Sequence, residues 1–215
     1  MICISIADVD FEECSAALQD VEMAEIRLDR LNLSDQQVRE IFSLPCRTIA
    51  THRPGKISAA EREASLIGAI ECGAAYVDIE IEAGDSFKKA VIVTARQKGC
   101  KIIFSYHDFE KTPPADELAA IAANCFDGGC DIAKIACLTH SEADSARILS
   151  LYDSPAAAQG KILALGMGEK GRITRVAAPL LGAPFTFAAL GAGRETAPGQ
   201  IDQTTLAQIF QMVKP

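Results

Sequence analysis

Lys134 stands where chemistry is easiest to argue. It lies within the apolar run Asp131-Ile132-Ala133-Lys134-Ile135-Ala136, and lysine is almost never fully buried without cause. The chain has ten lysines, and the other nine have ordinary places. Lys101 and Lys161 open strand patterns, and Lys56, Lys111 and Lys170 fall in loops. Lys88, Lys89 and Lys98 ride on a helix pattern, and Lys214 is at the terminus. Burial favours the neutral, nucleophilic form of an amine, which condenses with a carbonyl carbon to a Schiff base. The structural alternative is an ion pair with Glu80 or Glu82. His107, in Phe104-Ser105-Tyr106-His107-Asp108-Phe109, ends the preceding apolar run, where an imidazole is suited to shuttling protons. Arg27, Arg53 and Arg175 come from three separate strands or loops. Each offers a planar fork for a carboxylate, supplied by a ligand or by Glu25, Asp29 or Glu80.

The elements that must position these residues recur with regular spacing. Strand patterns cover Ile2–Ile6, Met23–Leu28, Arg47–Thr51, Tyr76–Ile81, Lys101–Tyr106, Asp131–Cys137, Lys161–Leu165 and Pro184–Leu190. Several are nearly continuous in apolar character, as parallel strands covered on both faces are. Helix patterns lie between them. Ser34-Asp35-Gln36-Gln37 and Ser58-Ala59-Ala60-Glu61 have the form of capping boxes. Further helices are expected over 85–98, 116–126, 142–152, 172–181 and 203–212, with Gly73 and Gly99 at helix ends. The alternation of strand and helix points to an α/β fold, a (β/α)8 TIM barrel filling residues 1–215 as a single domain. A doubly wound open sheet is the alternative.

Chemistry in such a barrel sits at the C-terminal ends of the strands. Glu25, Arg27 and Asp29 share one parity in the second strand pattern, which places them on one face. His52 and Arg53 follow the third, so one of the two turns away from the site. Asp78, Glu80 and Glu82 follow in the fourth. The seventh opens into Gly166-Met167-Gly168, with Arg172 and Arg175 beyond, and the eighth into a Gly-rich loop from Gly191 to Gln200. His140 reads as a surface residue at a helix start. Gly191-Ala192-Gly193-Arg194 is half of a dinucleotide fingerprint and lacks the third glycine, so NAD is not expected. Phosphate binding by the last two loops is an alternative.

Composition sets limits. Twenty-nine acids against 21 bases give a net charge of −8, which argues against nucleic acid and anionic membranes. Apolar residues make up 49 % and charged residues 23 %, as in an ordinary folded protein. No apolar run reaches the length of a membrane span. Met1-Ile2-Cys3-Ile4 lacks the marks of a signal peptide. The eight cysteines form no CxxC pair, which reads as buried thiols in a reducing compartment. A cytoplasmic location is expected.

The chain resembles the type I 3-dehydroquinate dehydratases, Schiff-base lyases of the shikimate pathway, over its whole length. The matching motifs are Glu25-Ile26-Arg27-Leu28-Asp29, His107-Asp108-Phe109 with Lys111-Thr112-Pro113, and Lys134 in its strand. Gly166-Met167-Gly168 with Arg175, Phe187, and Ala197-Pro198-Gly199-Gln200 complete them. The resemblance implies that Lys134 forms an imine with the C3 ketone of 3-dehydroquinate and that His107 is the general acid and base. It implies that Glu25, Arg27, Arg53, Arg175, Thr196 and Gln200 hold hydroxyls and carboxylate, with Arg175 the carboxylate partner. Met167 and Phe187 would pack against the ring. It also implies a homodimer with no cofactor and no metal. One position departs: many members carry a glutamate four residues after the arginine of strand three, orienting the histidine, and here Ile57 stands there. Asp78 or Glu80 is expected to take that part. A class I aldolase-like barrel and a binding protein without chemistry are the competing readings.

Overall fold

In the computed structural model residues 1–213 are described. Lys214 and Pro215 lie outside the described residues. Strands and helices alternate from β1 (Ile2–Ile6) and α1 (Phe11–Gln19) through β2 (Met23–Arg27), α2 (Asp35–Phe42), β3 (Arg47–Thr51), α3 (Ala59–Glu71), β4 (Tyr76–Glu80) and α4 (Asp85–Lys98). They continue through β5 (Lys101–Asp108), α5 (Ala115–Asp127), β6 (Ile132–Leu138), α6 (Glu142–Leu149), β7 (Lys161–Met167), α7 (Arg172–Leu180), β8 (Thr186–Ala189) and α8 (Gln203–Val213). The strands form one eight-stranded sheet in the order β7-β6-β5-β4-β3-β2-β1-β8. The pairs β1–β2, β2–β3, β3–β4 and β6–β7 run parallel. This succession is that of a (β/α)8 barrel.

Contacts gather into two compact units, Ile4–Ile103 and the chain from Phe104 on with Met1–Cys3. In the first, Ile6, Met23, Ile26, Ile49 and Ile79 are fully buried, and so are Ile41, Leu66, Ile70 and Val91 of α2 to α4. In the second, Ile135, Leu163, Ala188 and Phe185 are buried, as are Leu118 of α5 and Leu206 of α8. The nearly continuous burial of β6 explains why its sequence is apolar except at Lys134.

Local chemistry fixes the helix ends. Ser34 and Ser58 each accept from the amide three residues on, and Gln37 and Glu61 reach back to the cap amides. Gly99 closes α4 at φ 71°, a left-handed conformation that glycine takes without strain.

Several boundaries differ from the sequence reading. β2 stops at Arg27, and Leu28–Arg30 is a 3-10 turn. The strict alternation that put Asp29 beside Glu25 therefore ends, and Asp29 folds back onto Arg27. β5 runs on to Asp108, so His107 is inside the strand. Asp108 Oδ1 then accepts from the amides of Glu110 and Lys111, which turns the chain. α6 ends at Leu149 and gives way to 3-10 turns at Ser150–Asp153 and Pro155–Ala158. β8 begins only at Thr186, whose amide donates to the Met1 carbonyl.

Candidate active site

Within the unit from Phe104 on, Lys134 is the third residue of β6 and only 6 % exposed. Its Nζ sits 4.3 Å from the centroid of the Phe187 ring. Phe187 is fixed in turn by an edge contact with Phe185, centroids 5.5 Å apart. An aromatic face steadies an ammonium without neutralising it and removes water from one side of the amine. His107, the penultimate residue of β5, lies parallel to the exposed Phe109 ring, 5.9 Å between centroids and 9° between planes. Met167, the last residue of β7, is 2 % exposed.

The connections after β7 and β8 build the other side of this unit. Arg175, on the first turns of α7, is 2 % exposed. Its Nε donates to the Gly199 carbonyl at 3.0 Å and its Nη2 to that of Pro198 at 3.4 Å. No carboxylate among the described residues pairs with it. Burial, and then the nearby charge of Arg172, push this guanidinium down to about 10. A buried cation bound only to neutral carbonyls is a costly arrangement that an anionic ligand relieves. The Gly199 carbonyl reaches Arg175 because Gly199 takes φ 76° and its Cα hydrogen faces Gly168; a Cβ there meets the Gly168 carbonyl at 2.1 Å. A cavity of about 350 Å³ opens beside these groups, lined by Glu169, Arg172, Glu195, Pro198, Gly199 and Gln200. Gln200 is buried, and its Oε1 accepts from the Thr196 amide at 2.6 Å while its Nε2 donates to Thr196 Oγ1 at 3.1 Å. Thr196 and Gln200 thus come together, bonded to each other.

In the unit Ile4–Ile103 the polar residues at the strand ends are paired. Glu25 is buried and accepts from Ser5 Oγ on β1 and from Thr51 Oγ1 on β3, the latter at 3.0 Å. Arg27 forms a bidentate pair with Asp29, at 2.9 and 2.6 Å. Burial alone pushes the Asp29 carboxyl up, but the Arg27 guanidinium outweighs it and holds the group below the usual range. Arg53 binds both Asp78 oxygens at 2.9 Å and Glu80 Oε1 at 2.6 Å. Burial disfavours its charge, yet Asp78 and Glu80 reverse the balance and keep it firmly protonated. The other Glu80 oxygen takes Arg62 at 2.7 Å, and Arg62 lies over the Phe87 ring. His52 turns the opposite way from Arg53, toward α3, with Nδ1 2.9 Å from Ser65 Oγ. Burial lowers its proton affinity. Ile57 is 40 % exposed, before α3.

The sequence reading missed three residues that the fold puts to use. Arg62 sits in a helix pattern that marks it as solvated. His140 and Arg147 bind carbonyls of the segment that follows His107. Backbone acceptors leave no trace in a residue pattern, although the start of α6 at Glu142 falls where the sequence places it. Among the described residues no group of three or more His, Cys, Asp or Glu side chains is placed to hold a metal ion. No helix is long and apolar enough to cross a membrane.

Comparison with known proteins bears on the whole length. The family model for type I 3-dehydroquinase matches residues 2–215. A 3-dehydroquinate dehydratase of Methanococcus maripaludis is 36 % identical, the alignment covering 99 % of this chain and 100 % of that protein. One of Methanocaldococcus jannaschii is 34 % identical, with 99 % of each covered. The type I 3-dehydroquinate dehydratase of Clostridium difficile, solved with covalently modified comenic acid, superposes with a TM-score of 0.87 at 24 % identity, covering 99 % of this chain and 91 % of that one. The strand order, the buried lysine of β6 and a match from residue 2 to the last residue agree, and the chain belongs to the type I 3-dehydroquinase family.

Proposed function

We propose that Lys134 and His107 carry the dehydration of 3-dehydroquinate to 3-dehydroshikimate, the shikimate-pathway reaction that membership of this family assigns to the chain. The observation that carries this reading is Lys134 itself, a lysine buried in the middle of β6 against an aromatic face. Nζ attacks the C3 ketone carbon and water leaves, giving an iminium. The iminium is an electron sink, so the neighbouring C2 proton becomes acidic enough for His107 to take it. The electron pair moves into the enamine and then expels the hydroxyl on the adjacent carbon, which leaves as water with the proton from His107. A second water hydrolyses the iminium and returns the free amine and the enone product.

Arg175 is the proposed partner of the substrate carboxylate, supported by its burial without a counter-charge. Glu25, Arg27, Arg53, Thr196 and Gln200 are proposed to hold hydroxyls, and Met167 and Phe187 to pack against the ring. The carboxylates bound to Arg27 and Arg53 fix those guanidinium planes, which supports a positioning part for them. Thr196 and Gln200 exchange their mutual bonds for bonds to substrate. We further propose a single catalytic domain working as a homodimer in the cytoplasm. The exposed Ile173 and Leu180 of α7 and Leu181 just after it support association, and eight free thiols suit a reducing compartment.

The test is His107→Ala at saturating substrate. Loss of general acid–base help is expected to lower kcat by about 10²- to 10⁴-fold. A kcat within twofold of the parent removes His107 from the proton transfers.

A further inference from the structure

The segment that follows His107 is fastened by His140 of the connection between β6 and α6 and by Arg147 of α6. His140 Nε2 lies 2.7 Å from the Glu110 carbonyl. A carbonyl only accepts, so the proton is on Nε2 and the imidazole donates. Arg147 Nη1 donates to the Thr112 carbonyl at 3.1 Å, and Thr112 Oγ1 donates to the Leu138 carbonyl at 2.7 Å. One carboxylate organises both arms. Asp144 Oδ2 accepts from the amides of His140 and Ser141 at 2.9 and 3.0 Å, and its Oδ1 accepts from Arg147 at 2.9 Å. Asp144 also completes the capping box of α6 with Ser141, so both arms are anchored to the first turn of a helix. Within the segment, Asp108 Oδ1 holds the amides of Glu110 and Lys111. The carbonyls of Glu110 and Thr112 and the amides of Glu110 and Lys111 are therefore all occupied.

We propose that His140 and Arg147 are positioning residues for His107, a bracket that ties the proton-transferring strand β5 to the strand that carries Lys134. This rests on the acid–base reading of His107. The geometry gives the reason. Residues 108–112 are the only covalent continuation of β5 beyond His107, and they carry Phe109, whose ring lies parallel to the imidazole. Fixing Glu110 and Thr112 to the chain end of β6 fixes both the ring shelf and the register of His107 relative to Lys134. Misplacement of a reacting group by about 1 Å can cost about 10²-fold in rate. Both bracket residues act through backbone carbonyls of the segment after His107, so their effect belongs in turnover rather than in binding.

The test compares His140→Ala, His140→Gln, Arg147→Ala and the double variant H140A/R147A with the parent, by steady-state kinetics and thermal melting of the full chain. His140 is exposed, so its removal leaves the core intact. The double variant is expected to lose about tenfold in kcat with KM within about twofold, a fraction of the cost of full misplacement. His140→Gln, whose side-chain nitrogen occupies the place of Nε2, is expected to recover most of the single-variant loss. A kcat within twofold in the double variant, a rise in KM that matches the loss, or a glutamine variant no better than alanine overturns the bracket. If R147A fails to fold, the His140 pair alone decides. His107→Ala separates the two claims: if it leaves kcat unchanged, the acid–base reading has failed, whatever the bracket variants do. If it lowers kcat and the bracket variants do not, only the bracket is lost.

Discussion

Among individual residues, the contrast between the arginines is the most informative. Arg27 and Arg53 are each held by carboxylates, and their charge is spent on Asp29, Asp78 and Glu80. Arg175 has two carbonyls and no acid among the described residues. Its charge is therefore available to a substrate carboxylate. Arg175→Gln is expected to raise KM by about 10- to 100-fold, the worth of a charge-assisted hydrogen bond of about 1.5–3 kcal/mol. The pH dependence has a definite sign. Burial has lowered this group to about 10, so the cation is present below that pH and is lost as pH rises through it. The free-enzyme profile of kcat/KM is expected to fall above about pH 10, and that limb is expected to be missing in Arg175→Gln. An unchanged KM in the variant would remove Arg175 from carboxylate binding. All three arginines could be named from the sequence as residues at or beyond the strand patterns. Which of them lacks an acid could not, because Asp78 and Glu80 meet Arg53 across 25 and 27 positions.

Among the elements, the strands were legible because buried parallel strands are apolar almost without interruption. β1 and β3 have the expected ends, and α4 runs over the expected 85–98. The ends that moved did so through polar side chains folding onto nearby backbone. Asp108 turns the chain after β5, and Asp29 closes on Arg27 through a 3-10 turn. Periodicity has no signal for such local closures. The loops after β7 and β8 show the same limit. Their glycines were visible, but their close approach was not: the Gly168 amide donates to the Pro198 carbonyl at 3.0 Å, and Gly199 lies against the Gly168 carbonyl. A methyl group at 199 cannot be accommodated there without moving the carbonyls that hold Arg175, and φ 76° is strained for alanine. Gly199→Ala is expected to cost more than about 1 kcal/mol in urea unfolding and to raise KM as Arg175→Gln does. A variant with parental KM and midpoint would mean that this contact does not set the Arg175 geometry.

For the whole molecule, the net charge of −8 argued against polyanions. The structure adds a reason why a small anion can still bind. Two of the three candidate arginines are neutralised by acids in place, and the third is buried and uncompensated. The uncompensated cation is thus Arg175, with Arg172 nearby, rather than a broad field. The cysteines give a second global test. Six of eight are buried and two half-buried. Burial lifts Cys14 to about 11, Cys130 to about 11 and Cys137 to about 12. Thiolates are scarce at pH 8 in such sites. A thiol-exchange reagent is expected to modify at most two groups quickly in the native chain and all eight in urea. Rapid modification of all eight without denaturant would contradict the packing.

We propose an imine on Lys134 as the intermediate through which the reaction passes. Its most direct measurement is borohydride reduction of the protein during turnover of 3-dehydroquinate, followed by peptide mass spectrometry. The expected result is an irreversible adduct on the peptide containing Lys134, with activity lost in proportion, and no adduct in Lys134→Ala. Full activity after reduction with Lys134 unmodified, or undiminished turnover in Lys134→Ala, would contradict it.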